Sequence, residues 1–238
     1  MIKNEKEEEY NLIIMDDGKM NALDIDTLNS IYDSMDKTRV NIITGNERVF
    51  SAGANINNFL NISDSKAFDL SISGHDILDK IENFPMPVIS AMDGYVFGGG
   101  LELALSTDFR IAGKNLKLGF PEVNLGILPG WGGTQRLKNL IGKNKAEYLI
   151  MTGRSLNSQE TLDYGIINDI YENYLEKSID LAKELYYKSW DSLKNIKILM
   201  NHGSFYEESK LFGELFNTKN MQIGVSSFLQ KKKPEFNK

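Results

Sequence analysis

The sequence predicts an α/β protein with a mostly parallel sheet and a helical C-terminal part. Three observations carry that expectation: short apolar, β-prone runs, amphipathic stretches that alternate with them, and a purely helical texture beyond Tyr174. Strands that alternate with helices close most readily into a parallel sheet with right-handed crossovers.

Tyr10 to Met15 is apolar and β-prone, and Asp16-Asp17-Gly18 behind it is a turn signal, so a first or edge strand is predicted there. Asp24 then suits the N-cap of a helix, because Ile25, Leu28, Ile31, Tyr32 and Met35 recur at spacings that make one stripe. Val40 to Thr44 reads as a short buried strand, and Asn46 through Asn55 as a loop. Between Phe68 and Phe84 the positions Leu70, Ile77, Leu78 and Ile81 predict a helix interrupted in propensity by Gly74. Pro85 and Pro87 end it, since proline lacks the N–H that a helix interior needs.

Val88 to Met92 is a continuous apolar strand leading through Asp93-Gly94 to three glycines and another helix. Phe109 to Ala112 and Leu116 to Leu118 predict further strands. Past Tyr174 only helices are predicted, over 175–187, 191–201, 205–216 and 221–229. The expected division is a core over residues 1–180 and a helical subdomain over 181–238. Phe205, Phe212, Phe216 and Phe228 give that subdomain much apolar surface, part of which is expected to bury against another subunit.

With 238 residues, 41% of them hydrophobic, the chain is long and apolar enough to bury a full core. The net charge of −6 argues against a general nucleic-acid binder, which needs clustered basic side chains, and Lys231-Lys232-Lys233 is too short a run to reverse that. No cysteine is present, which excludes a thiolate nucleophile and cysteine-ligated metal. The two histidines, His75 and His202, lie far apart in sequence and give little support to a metal site or a His-centred triad. The segment Met1 to Glu9 is charged rather than apolar, and no run approaches the roughly 20 apolar residues of a membrane span, so a cytoplasmic protein is expected.

Two glutamates carry the functional signal. Glu102 follows Gly98-Gly99-Gly100-Leu101, and Glu122 follows Gly119-Phe120-Pro121. Glycines ahead of a helix let backbone N–H groups approach a ligand and favour a developing negative charge. If the fold brings the two carboxylates across from each other, the result suits proton movement beside a carbonyl. Taken singly, a glutamate on a helix is ordinarily solvated, and a glycine run can be a close-packing loop. The apolar neighbours Leu101, Leu103, Ala104 and Leu105 make an exposed Glu102 the weaker reading.

Four separated motifs occur in order: Ser51-Ala52-Gly53-Ala54-Asn55-Ile56, Gly98-Gly99-Gly100-Leu101-Glu102-Leu103-Ala104, Phe120-Pro121-Glu122, and Pro129-Gly130-Trp131-Gly132-Gly133-Thr134-Gln135-Arg136-Leu137. Together they resemble the enoyl-CoA hydratase/isomerase (crotonase) family over roughly residues 10–170. The resemblance implies a spiral of β-β-α units, a C-terminal trimerisation subdomain, and a homotrimer or homohexamer. It implies an acyl-CoA thioester as substrate, so that coenzyme A belongs to the substrate and no separate cofactor or metal is expected. It further implies that the N–H groups of Ala54 and Gly99 hold the thioester oxygen. Ala52, Gly53, Asn55, Ile56, Gly98, Gly100, Pro129, Gly130 and Trp131 are the expected substrate-binding positions.

Within that family, isomerases commonly keep only the glutamate matching Glu122, whereas hydratases carry both. The resemblance therefore points to a hydratase in which Glu102 activates water and Glu122 supplies the Cα proton. The alternatives are an enoyl-CoA isomerase or another acyl-CoA reaction on the same fold, and a non-catalytic RNA-binding or scaffold relative. Asn55 stands where the family usually has Asp, and Trp131 where small residues are common. An indole facing the acyl pocket narrows it, which predicts a short-chain substrate.

Overall fold

The computed structural model describes residues 1–46 and 48–237; Glu47, within the predicted 46–55 loop, and Lys238 lie outside the described residues. The chain opens with β1 (Ile2–Lys6), antiparallel to β2 (Tyr10–Met15). The predicted edge strand is thus the second one. β1 escapes a periodicity reading because it is an edge strand with charged, exposed side chains. A two-residue β3 (Ala22–Leu23) leads into α1 (Ile25–Asp33), where Asp24 caps the helix by accepting from Thr27 N at 2.8 Å. Leu28 and Ile31 are its buried stripe, and Met35 falls beyond its end.

After β4 (Val40–Thr44), the predicted loop contains two short strands, β5 (Val49–Ser51) and β6 (Gly53–Ala54). A 3-10 turn (Ile56–Asn61) precedes α2 (Asp64–Glu82), which starts earlier than the apolar pattern suggests because Ser63 caps it. Next come β7 (Val88–Met92), β8 (Tyr95–Phe97), α3 (Gly99–Leu105), β9 (Phe109–Ala112) and β10 (Lys117–Gly119). A 3-10 turn (Glu122–Leu125), α4 (Gly133–Ile141), α5 (Lys143–Thr152), β11 (Ser155–Asn157), α6 (Ser158–Tyr164) and β12 (Asp169–Ile170) complete the core. The C-terminal helices are α7 (Tyr174–Tyr186), α8 (Trp190–His202), α9 (Phe205–Leu215) and α10 (Lys219–Leu229).

Among the described residues the large sheet has the order β1-β2-β4-β7-β9-β12, and every pairing after the first is parallel. A smaller sheet runs β11-β10-β8-β5, and β3 pairs with β6. Three successive passes repeat one order. Each sends a strand to the large sheet (β4, β7, β9), a strand to the small sheet (β5, β8, β10), and then a helix (α2, α3, α4). This is the β-β-α spiral that the motifs imply. β4 and β7 are buried along their full length, as strands covered on both faces should be.

α7 packs against β4, β7 and β9, and its Ala182 and Leu185 belong to the core. The 180/181 boundary expected from sequence therefore falls inside a core helix. α9 and α10 bury no residue. No helix of the described residues is long and apolar enough to cross a membrane.

Candidate active site

The two glutamates meet because the strands that precede them are neighbours. β8 and β10 pair in parallel with Phe97 opposite Gly119, and Gly98 N donates to Gly119 O at 3.1 Å. The glycine triplet and α3 after β8, and the Glu122 turn after β10, therefore emerge at one end of the small sheet. Clefts beyond the carboxyl ends of parallel strands are the usual ligand sites of α/β folds.

Gly98 has φ +50° and ψ −124°, a conformation only glycine adopts readily, and a Cβ there would lie 2.7 Å from Glu122 Oε1. The chain can thus bring the Glu122 carboxylate directly against the backbone that starts α3. Gly99 is the first residue of that helix, so its N–H has no acceptor within the helix. A Cβ on Gly99 would come within 3.3 Å of Ala54 N, which brings the backbone of β6 close to the start of α3.

Glu102 sits in the first turn of α3, a helix buried at every residue, and is 2% exposed. Its Oε1 accepts from Trp131 N at 2.7 Å and Gly133 N at 2.8 Å. Burial pushes its carboxyl up to about 7, with the Glu122 charge adding to the rise, while the two N–H bonds and Arg136 oppose it. Glu122 is 9% exposed, and its Oε2 has no hydrogen-bond partner among the described residues. Burial also raises its carboxyl, against a bond from its own N–H. Two buried carboxylates, both raised above the usual glutamate range, one pinned and one with an oxygen unengaged, are a chemistry suited to proton transfer.

Both glutamates line a cavity of about 220 Å³ together with Ala54, Gly99, Gly130 and Trp131. These are the sequence-identified positions that the fold brings together at the cavity wall. The others lie off it. Gly53 approaches Phe97 O, and Gly100 packs on Ser51 of β5. Asn55 caps the following 3-10 turn through Asn57 N, Ala52 N bonds Met20 O, and Pro129 lies against Gly133. Ile56 is half exposed. These do not line the cavity.

The opposite wall has no signature in the sequence. Phe59 comes from the 3-10 turn and Ile62 from just after it, Ala67, Leu70 and Ser71 from α2, and Ile127 and Leu128 from the loop before α4. Leu70 is legible only as part of an apolar stripe, and a stripe does not say whether it faces core or ligand. Ser71 Oγ donates to Gly130 O at 2.5 Å and so ties α2 to the Trp131 loop. Arg136 ties the same loop from the other side: it donates to Trp131 O at 2.9 Å and to Glu82 Oε2 at 2.8 Å, and it pairs with Asp79.

The model of the family "Enoyl-CoA hydratase/isomerase" matches residues 5–238. The chain is 40% identical to a probable enoyl-CoA hydratase of Bacillus subtilis, over 82% of this chain and 80% of that one. It is 37% identical to a crotonyl-CoA hydratase of Syntrophomonas wolfei, over 98% and 96% respectively. The crystal structure of an enoyl-CoA hydratase from Bacillus anthracis superposes with a TM-score of 0.91 at 29% identity, covering 99% of this chain and 98% of that one. Motifs, spiral fold and full-length similarity agree, and the chain belongs to the enoyl-CoA hydratase/isomerase family.

Proposed function

We propose that the protein is an enoyl-CoA hydratase, adding water reversibly across the 2,3 double bond of a short, apolar trans-2-enoyl-CoA to give a 3-hydroxyacyl-CoA. The observation that carries this reading is the pair of buried glutamates in one cavity that Ala54 and Gly99 also line, with their backbones close together. The N–H groups of Ala54 and Gly99 take the thioester oxygen and stabilise the enolate-like charge that forms as water attacks. Glu102 withdraws a proton from the water that adds to Cβ, and Glu122 delivers a proton to Cα. In dehydration the roles reverse. An isomerase needs only one such group, so the second carboxylate favours hydration.

The cavity supports the substrate class. Its volume lies below the roughly 300–1,000 Å³ of pockets for drug-sized ligands, which suits a small acyl end with the remainder of the thioester outside. Among the described residues no lysine, arginine or histidine lines it, so an acyl chain ending in a carboxylate finds no counter-charge from them. Assembly into a homotrimer or homohexamer is part of the same reading, supported by apolar side chains left uncovered on α9 and α10.

Mass spectrometry of the product formed from crotonyl-CoA tests the reaction class. Hydration adds the mass of one water. A product of unchanged mass points to isomerisation, and no product with salt-sensitive RNA binding points to the non-catalytic alternative.

A further inference from the structure

We infer that Gly74 and Trp131 together set the acyl-chain length this protein accepts, with the indole acting as a fixed wall seated in a notch that Gly74 leaves in α2. This rests on the acyl-CoA reading above and names the device that limits its substrate. Trp131 lines the cavity and is 4% exposed, whereas Gly74 does not line it; Ala67, Leu70 and Ser71 of α2 reach the cavity, and one turn further along the helix the indole stands between the cavity and Gly74. A Cβ on Gly74 would lie 2.1 Å from Trp131 Cδ1 and 2.4 Å from Nε1, so only glycine admits the ring here. The opposite edge of the indole is set against Gly99, where a Cβ would meet Cζ3 at 2.6 Å. The ring is therefore gripped at both edges by backbone that carries no side chain.

The backbone beneath the ring is held as firmly. Trp131 N donates to Glu102 Oε1, Trp131 O accepts from Arg136, and the preceding Gly130 carbonyl accepts from Ser71. The loop cannot retreat to make room, so a methyl group on Gly74 drives the indole off its seat and into the cavity. Alanine is the better helix former in the middle of a 19-residue helix, so α2 by itself gains from that substitution. Conversely, removing the indole opens the space over Gly74, and a longer chain can enter it.

The test is calorimetric binding of butyryl-, hexanoyl-, octanoyl- and decanoyl-CoA to the wild type, Trp131→Ala, Gly74→Ala and the double variant, with hydration of the matching enoyl thioesters measured in parallel. We expect wild-type affinity to stop rising after the shortest members. In Trp131→Ala it should continue to rise by roughly fourfold per added methylene, the value of burying one such group. Gly74→Ala should lose about tenfold or more in butyryl-CoA affinity, and Trp131→Ala added to it should restore binding and give the extended profile. An unchanged profile in Trp131→Ala overturns the inference, as does a Gly74→Ala defect that the double variant keeps. Saturated thioesters bind without reacting, so a wild type that binds the series but hydrates none of the enoyl forms overturns the hydratase reading and leaves this one standing. A wild type that binds none of the thioesters overturns both.

Discussion

Glu102 is the residue on which burial and function pull in opposite directions. Its carboxyl is raised from 4.5 to about 7 by burial and the neighbouring Glu122, despite two N–H bonds and Arg136 that favour the charge. The folded protein therefore holds this proton more tightly than the unfolded chain does. The resulting stabilisation is complete below about pH 4.5 and is lost as pH rises through about 7. Glutamine at this position keeps an oxygen for Trp131 N and Gly133 N but carries no charge. We expect Glu102→Gln to melt several degrees above the wild type at about pH 8, and close to it in acid, by calorimetric scans across that range. In the wild type, kcat/KM should fall on the acid side with an apparent pKa near 7, a property of the coupled glutamate pair.

At the scale of elements, the glycine loop is the joint that makes the site. Gly98→Ala places a side chain at φ +50° and against Glu122 Oε1, so we expect a loss of about 1–3 kcal/mol in urea unfolding and a larger fall in kcat than in substrate affinity. This loop is legible in the sequence, as are α1, β4, β7 and all four C-terminal helices, because each carries a long apolar period or a marked start and stop. β5 and β6 read as loop because two or three residues are too few for a period to show. β11 and β12 are missed for the same reason. The glutamates are legible as candidates, but their meeting is not: it depends on the parallel register of β8 and β10, which nothing local encodes. Gly74, which reads as a flaw in α2, is explained only by the indole packed on it.

At the scale of the molecule, the spiral core and the last helices are joined by an ion pair between a buried lysine and a half-buried aspartate. Lys197 of α8 reaches Asp108, just ahead of β9, at 2.7 Å, and the same carboxylate oxygen accepts from Val88 N. Removing the lysine leaves the largely desolvated Asp108 carboxylate without its counter-charge. Lys197→Ala should cost about 3–5 kcal/mol in chemical denaturation, and Lys197→Met paired with Asp108→Asn should recover much of it. Beyond this joint, Phe205 is 91% exposed and Phe228 83%, on helices that bury nothing within the chain. We expect light scattering to give the mass of three or six chains, and charged replacements of these two phenylalanines to lower it. The sequence shows this surface as an excess of apolar residues, but the number of subunits depends on symmetry between chains and is not written in any one of them.

In the proposed reaction two glutamates in one cavity divide the work of hydration. Loss of enoyl absorbance on mixing with crotonyl-CoA, followed for the wild type, Glu102→Gln and Glu122→Gln, tests it most directly. We expect turnover by the wild type and a fall in kcat of roughly 10²–10⁴-fold in each variant, with butyryl-CoA binding retained. Full activity in Glu122→Gln, or a wild type that binds the thioester without consuming it, would contradict this division of work.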